Sequence, residues 1–312
     1  MRRVGWILGS IVAAAVSAGA TPPGAAVRDR ASVVRPRVVK VIPAKRAQPP
    51  SVASRAEGCA GLTLPRRPGL PFEPGEEMSF EFRAAGLFIG RMEVKAGTPR
   101  KSDGRAILPL FGRARTTMFT GSIQKFEGRY LSLVDATTLE PVGLRTESVY
   151  GAEPRAEQIK LTPDRRQADI KFQAGKTEGK RDYGRREAGL FDVLGLLYYA
   201  RSLELPVGAK VCQEVLGDRR LWRMEGSILG IEKIDTAAGK KESLHVKLRF
   251  DRVAHRDFDN SKRPWIEIEL FLSNDAHRAP LTFTVSNDKV SATAELVAWS
   301  TKGTSSEDAW KL

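Results

Sequence analysis

Apolar and polar residues alternate one by one over most of the chain from residue 71 onward. This period of two is typical of β-strands that bury one face. In WIEIELFLS, every second residue from Ile266 to Leu272 is apolar, and Glu267 and Glu269 stand between them. The stretches MSFEFR, LHVKLRF, PLTFTV and VSATAELVA repeat the pattern. The sequence therefore predicts a mainly β fold, a single antiparallel curved sheet or open β-barrel over residues 61–301.

The connections between these stretches also have β signals. Leu87 and Ile89 lie out of phase with Met92 and Val94, and a β-bulge at Gly90 would restore the phase because one extra residue reverses the face. TPDRRQ between EQIKL and ADIKF is rich in turn residues and predicts a hairpin. The alanines of VSATAELVA indicate a strand that bulky side chains cover closely.

In one stretch, GLFDVLGLLYYARSLEL, apolar residues lie next to one another instead of alternating with polar ones. Asp192 is a suitable N-cap, the apolar residues after it recur at helical spacing, and Pro206 and Gly208 end the segment. The run is shorter than the roughly 20 residues that span a bilayer. We expect one helix near residues 191–203 that covers the concave or open side of the sheet, either as part of the core or as a lid over an apolar cavity.

The first 60 residues differ from the rest in composition. Residues 1–20 have a charged start, an apolar run and a small-residue site, which predict a cleaved signal peptide; an uncleaved anchor is the alternative. Residues 21–60 are rich in Pro, and 21–57 hold eight Lys/Arg against two acids within a net charge of +14. We expect a disordered linker or an arm for anionic lipid or envelope polymers, with no nucleic-acid partner because aromatic residues for base stacking are absent. Residues 302–312 are expected to be a C-terminal tail.

The chain has two cysteines, Cys59 and Cys212. An exported protein enters an oxidising compartment, where an even pair usually forms a disulfide. Such a bond would hold the entry segment, whose prolines oppose strand pairing, against the domain body. Two unpaired buried thiols are the alternative.

Catalytic and metal motifs are weak. The three histidines, His245, His255 and His277, have no metal-ligand spacing, and no G-x-S-x-G elbow is present. A calcium-loop-like start at Arg256 fails at its sixth and twelfth positions. We therefore predict no catalytic residue, metal or cofactor. The alternative is an envelope enzyme acting on polysaccharide through paired carboxylates drawn from four residues: Asp135, Asp192, Asp257 and Asp259.

Four residues are candidates for ligand binding: Tyr198, Tyr199, Arg201 and Trp265. Aromatic rings beside a guanidinium group could hold a glycan or a lipid headgroup. The alternative is core packing of the aromatic rings with the arginine reaching the surface.

The order and spacing of several motifs resemble a family of exported bacterial proteins called domain of unknown function 3108, over about residues 71–297. The resemblance begins at PFEPGE and continues through DATTLEP, through DVL, LYY and Arg201 of the helix, and through LSNDAHRAP to SATAEL. It implies an envelope β protein of open-barrel type, and it supplies no catalytic residue. The prediction for function is a non-enzymatic periplasmic binding or assembly protein of a Gram-negative bacterium. Its ligand would be an apolar, lipid-like molecule between sheet and helix, or an anionic envelope polymer at the rim.

Overall fold

The computed structural model describes residues 59–117, 125–236, 239–253, 265–288, 290–302 and 307–310. The predicted signal peptide and most of the predicted linker lie outside these residues. So do His255, Asp257 and Asp259, and with them half of the proposed carboxylate set.

Strands make up most of the described chain. In order, the elements are β1 (Glu77–Ala84), β2 (Leu87–Ala96), β3 (Arg100–Ser102), β4 (Arg105–Thr116), β5 (Phe126–Asp135), β6 (Pro141–Tyr150), β7 (Glu153–Leu161), β8 (Ala168–Ala174), β9 (Thr177–Tyr183), β10 (Phe191–Asp192), α1 (Val193–Arg201), β11 (Lys210–Gly217), β12 (Arg220–Thr236), β13 (Gly239–Arg252), β14 (Trp265–Ser273), β15 (Pro280–Ser286), β16 (Ser291–Ser300) and a 3-10 helix (Glu307–Trp310).

All sixteen strands belong to one sheet. Its order is β10-β11-β12-β13-β14-β15-β16-β1-β2-β4-β5-β6-β7-β8-β9, and β3 pairs with β4 at the side. Every pairing is antiparallel except that of β10 with β11, which is parallel. The two ends of this order, β9 and β10, do not pair within the described residues, so the sheet is open. The predicted mainly β fold with one helix is confirmed, with the short parallel pair as an unforeseen detail.

The alternation in the sequence matches the two faces of the sheet. On β14, Ile266, Ile268 and Leu272 are buried, while the exposed Glu269 lies opposite Lys247 on β13. On β16, the buried Ala292 and Ala294 belong to the inner face, where the rings of neighbouring strands pack over them. The inner faces of the first and last strands of the chain thus form one core.

The predicted bulge in the first hairpin exists one residue earlier than expected. Phe82 pairs with Gly90, and the next residue, Arg83, pairs with Phe88, so Ile89 is the extra residue. Gly90 has a different role: a Cβ there would lie 2.5 Å from the carbonyl oxygen of Arg115. A side chain at position 90 would therefore force β4 away from β2.

The helix α1 is shorter than predicted and packs on the concave face of the sheet, against β4, β5, β10 and β11. Phe191 and Asp192 pair with β11 as β10 and so do not belong to the helix. The helix ends at Arg201, and Ser202 donates its backbone N–H to Tyr199 and to Ala200. No helix among the described residues is long and apolar enough to cross a bilayer.

A segment that we call the N-terminal strap, residues 59–67, lies against the start of β11 and the loop after α1. A disulfide joins Cys59 to Cys212, the pair selected from the sequence, with Cα atoms 5.6 Å apart. Backbone hydrogen bonds hold the strap as well: Arg67 donates to the carbonyl oxygen of Ser202, and Glu204 donates to that of Pro65, both at 2.8 Å. The strap therefore has backbone pairing beside the disulfide, although its prolines oppose strand pairing.

The C-terminal end packs on the outer face of the sheet. The Trp310 ring is buried, and the Arg113 guanidinium lies 4.2 Å from its centroid. Glu307 accepts the backbone N–H of Thr98 at 2.6 Å. Part of the predicted tail thus contacts β4.

Candidate ligand-binding cavity

A cavity of about 210 Å³ lies between α1 and the concave face of the sheet. The helix contributes apolar side chains, among them Leu197 and Ala200, and the sheet contributes Phe82, Met92 and Phe283. Among its described lining residues, only Arg113 and Tyr130 have polar side chains. Because the guanidinium of Arg113 stacks on Trp310 at the outer face, Tyr130 alone offers a polar side-chain group to the interior.

Small residues on β4 explain why space remains beneath the helix. Gly112 and Ala114 both line the cavity. A Cβ at Gly112 would lie 3.6 Å from Leu194 of α1, at ordinary contact distance. The sequence thus leaves a gap where larger residues at these positions would fill the core.

The N-terminal strap forms part of the cavity wall. Leu62 lines the cavity, and its backbone N–H donates to the Gln213 side chain at 3.2 Å. The disulfide therefore holds a segment that covers the cavity.

Asp192 fixes the N-terminal end of α1. One carboxylate oxygen accepts the N–H of Gly195 at 2.8 Å, and the other accepts the Ser132 hydroxyl at 2.7 Å. Burial raises the pKa of Asp192, while these hydrogen bonds oppose the shift. One oxygen therefore caps the helix and the other connects it to β5, which is a structural role.

The other end of α1 is held by a group that we call the Arg201 cluster: Arg201, Glu76, Phe72, Tyr198 and Trp299. Arg201 and Glu76 are completely buried and form a bidentate ion pair, with N–O distances of 2.6 and 2.9 Å. Arg201 also donates Nε to a backbone carbonyl oxygen at 3.1 Å, and Trp299 donates Nε1 to Glu76 at 3.1 Å. Several hydrogen bonds therefore compensate for the burial of both charges.

Rings surround the guanidinium in this cluster. Phe72 packs edge-on against Tyr198 at 4.8 Å, and Arg201 lies 5.3 and 5.1 Å from the two ring centroids. Burial, with the Glu76 charge, raises the pKa of Tyr198 well above its usual value. Two of the four predicted ligand residues thus belong to a buried anchor.

The remaining two candidates lie apart from this cluster. Tyr199 packs against Phe191 at 4.8 Å, and burial raises its pKa. Trp265 lies at the start of β14, with Arg249 4.9 Å from its ring centroid. None of the four candidates lines the cavity. For Tyr198 and Arg201, the packing alternative describes their surroundings, although the arginine is buried rather than at the surface.

The sequence contained a signal that could have predicted the Arg201 cluster. Glu76 belongs to the PFEPGE motif and Arg201 to the helix motif of the same family resemblance, 125 residues apart. Buried acids and bases pair because an isolated buried charge is costly. Two motif residues of opposite charge were candidates for such a pair.

A second, smaller space adjoins the cavity at Tyr130. This polar recess of about 30 Å³ shares Phe126 and Tyr130 with the apolar cavity. Its other described lining residues are mostly polar: Thr146, Ser148, Arg155, Ala156, Glu157, Gln173, Asp218 and Arg219.

Glu157 is the buried acid of this recess. It accepts the backbone N–H of Arg219 at 2.9 Å. Burial raises the pKa of Glu157 to about 7, and the nearby Asp218 adds to the shift. Sequence analysis missed it, although Glu157 is in phase with Ile159 on the buried face of β7.

The described carboxylates of the predicted enzyme site have structural roles. Asp135 accepts the backbone N–H groups of Thr137 and Thr138 at 2.8 and 2.9 Å. Burial would raise the pKa of Asp135, but these backbone hydrogen bonds lower it overall. Asp192 caps α1, so neither acid faces a partner across a cleft in the part of the chain that the structure describes.

Two other kinds of site, a metal centre and a surface groove, have less support among the described residues. Among the described residues, no group of three His, Cys, Asp or Glu side chains could hold a metal ion. A groove of about 660 Å³ on β6 to β9 is lined by both signs of charge, with Arg145, Lys171 and Lys180 beside Glu147 and Glu178. Such a mixture has no clear preference for an anionic polymer.

Comparison with known proteins gives the following likenesses. The profile of the family described as "Protein of unknown function (DUF3108)" matches residues 77–297. No curated protein sequence matches the chain. A β-barrel-like DUF1849 protein from Brucella abortus is 12% identical, with a TM-score of 0.47, over 73% of this chain and 98% of that chain. A candidate lipoprotein from Parabacteroides distasonis is 10% identical, with a TM-score of 0.32, over 74% and 98%.

Proposed function

The chain belongs to the DUF3108 family, and we propose that it is a non-enzymatic binding or assembly protein of the cell envelope that holds a lipid-like ligand between α1 and the sheet. The observation that carries the proposal is the apolar cavity of about 210 Å³ beneath the helix. Apolar cavities of this kind stay dry and bind apolar molecules, because water finds too few hydrogen-bond partners inside them.

The way α1 is held supports binding at this position. Asp192 and the Arg201 cluster fix the two ends of the helix, so its cavity-facing residues, such as Leu197, do not need to pack tightly to keep it in place. A rigid wall around a preformed apolar space lowers the ordering cost of binding.

Location in the periplasm is part of the same proposal. The signal-like residues 1–20 support export, and the Cys59–Cys212 disulfide fits an oxidising compartment. A lipid-like ligand also fits an envelope location, where acyl chains are the abundant apolar molecules.

The test fills the cavity and measures binding of N-phenyl-1-naphthylamine, whose fluorescence rises in apolar surroundings. Leu197→Trp places a larger ring on the cavity wall, and the matched control Leu87→Trp places it at a site that is 62% exposed. We expect the wild type and the control to bind alike and Leu197→Trp to bind at least tenfold more weakly. Equal binding by all three proteins would place the probe elsewhere, and absence of binding to the wild type would oppose the proposal.

A further inference from the structure

We infer that the ligand is an uncharged amphiphile with a single acyl chain, whose hydroxyl-bearing headgroup reaches the polar recess and bonds the Tyr130 side chain. The inference rests on the proposed function, because it assigns the two ends of the ligand to two adjoining spaces.

The first step is that the cavity and the recess adjoin each other. Phe126 and Tyr130 line both the apolar cavity and the polar recess. Beyond them, the inner face of the sheet changes from apolar residues to Thr146, Ser148 and Glu157. A ligand that fills the cavity toward this end therefore meets polar groups there.

The second step is size. The apolar cavity, about 210 Å³, is below the roughly 300–1,000 Å³ of pockets that take drug-sized ligands. A slender single chain fits such a space better than two chains. The recess, about 30 Å³, has room for only one or two water-sized groups. It can take a hydroxyl group but not a sugar or a phosphate.

The third step is charge. Burial raises the pKa of the Tyr130 hydroxyl, and Glu157 and Asp218 on the recess side add to the shift. Arg155 pairs with Glu153 at 3.0 Å, and Asp218 lies 4.0 Å from Arg219 and 3.5 Å from Arg220. Because these arginines already have carboxylate partners, an anionic headgroup would add a negative charge without a counter-charge, whereas a neutral hydroxyl can donate to Glu157 and accept from Tyr130.

The fourth step is availability. Tyr130 is partly buried and lines both spaces, so a ligand at the junction can reach its hydroxyl. A ligand hydroxyl there would be a hydrogen-bond partner for it. Tyr130 is then the residue that positions the headgroup.

The experiment measures binding of two probes to the full chain by calorimetry, below their micelle concentrations. Monolauroylglycerol and dodecanoate have the same chain length and differ in headgroup charge. The variants are Tyr130→Phe and the matched control Tyr199→Phe, a tyrosine outside the cavity.

We expect the wild type to bind monolauroylglycerol at least tenfold more tightly than dodecanoate. Tyr130→Phe should weaken the binding of monolauroylglycerol about threefold to tenfold, which corresponds to the loss of one neutral hydrogen bond. It should leave the affinity for dodecanoate unchanged. Tyr199→Phe should change neither affinity. Tighter binding of dodecanoate, or no effect of Tyr130→Phe on monolauroylglycerol, would overturn this inference while leaving the proposed function standing. Failure of both probes to bind the wild type would count against the proposed function itself.

Discussion

The Arg201 cluster and the apolar cavity both adjoin α1, but side chains fill the cluster and leave space in the cavity. In the cluster, Arg201 and Glu76 are completely buried, and each has several hydrogen-bond partners within the protein. In the cavity, side chains such as Met92 and Leu197 face an unfilled space. The cluster holds the fold together, whereas in the proposed function the cavity leaves contacts for a ligand to make.

Because of this difference, we expect substitutions in the two regions to have different effects on the stability of the fold and on ligand binding. Changes in the cluster should unfold the protein, because they leave a charge buried without its partner. Changes in the cavity should affect the ligand more than the fold. The following variants test that separation, starting with the largest expected effect on the free energy of unfolding.

The first variant is Arg201→Met, which removes one partner of a buried ion pair. We expect the free energy of unfolding to fall by about 3–5 kcal/mol, because Glu76 is left buried without its counter-charge. Urea unfolding measures the change. The matched control is Arg145→Met, whose exposed pair with Glu147 should contribute less than about 1 kcal/mol. Similar losses in the two variants would mean that the cluster is no stronger than a surface pair.

The second variant is Glu157→Gln, which tests the polar recess beside the cavity. The pKa of Glu157 is about 7 in the folded protein, above the usual value of 4.5. Its favourable contribution is therefore complete below about pH 4.5 and is lost as the pH rises through 7. Relative to the wild type, Glu157→Gln should gain about 3 kcal/mol of stability between pH 4 and pH 8.

Urea unfolding at both pH values measures this difference, in which the shared contributions of other groups cancel. These include Asp192, whose pKa burial raises, and Asp135, whose pKa is lowered. Glu147→Gln, a change of an acid outside the recess, is the matched control. A constant difference between Glu157→Gln and the wild type would show that folding does not raise the pKa of Glu157.

The third variant, Cys212→Ser, tests the N-terminal strap, which forms part of the cavity wall. We expect a loss of about 2 kcal/mol, at the lower end of the usual range, because the unfolded chain is no longer cross-linked. Limited proteolysis should cut residues 59–70 faster while the β core resists. The hydrogen bonds of Arg67 and Glu204 should leave partial protection. A strap as resistant as in the wild type would show that those bonds alone hold it.

The sequence predicted the fold well because burial on one face of a strand leaves a direct periodic trace. The alternation of Ile266, Ile268 and Leu272 identified the inner face of β14, and the phase change near Gly90 located a bulge to within one residue. The Asp192 cap was likewise readable from local chemistry. Local patterns were sufficient for these features because neighbouring residues determine them.

The site was less predictable because it depends on contacts between residues distant in sequence. Tyr198 and Arg201 were chosen as ligand residues, but their partners, Phe72 and Glu76, lie more than 120 residues earlier and bury them. Tyr130 gave no local signal, since its position at the junction of two spaces depends on the curvature of the sheet. Periodicity shows which face is inside but does not show which part of the inside stays empty.

The most direct measurement of the central claim is native mass spectrometry of the wild type and Leu197→Trp after incubation with monolauroylglycerol. The account predicts one bound molecule on the wild type and none on the variant, with both proteins folded by circular dichroism. Binding to both proteins in equal amount, or to neither, would contradict the claim that the cavity beneath α1 is the ligand site.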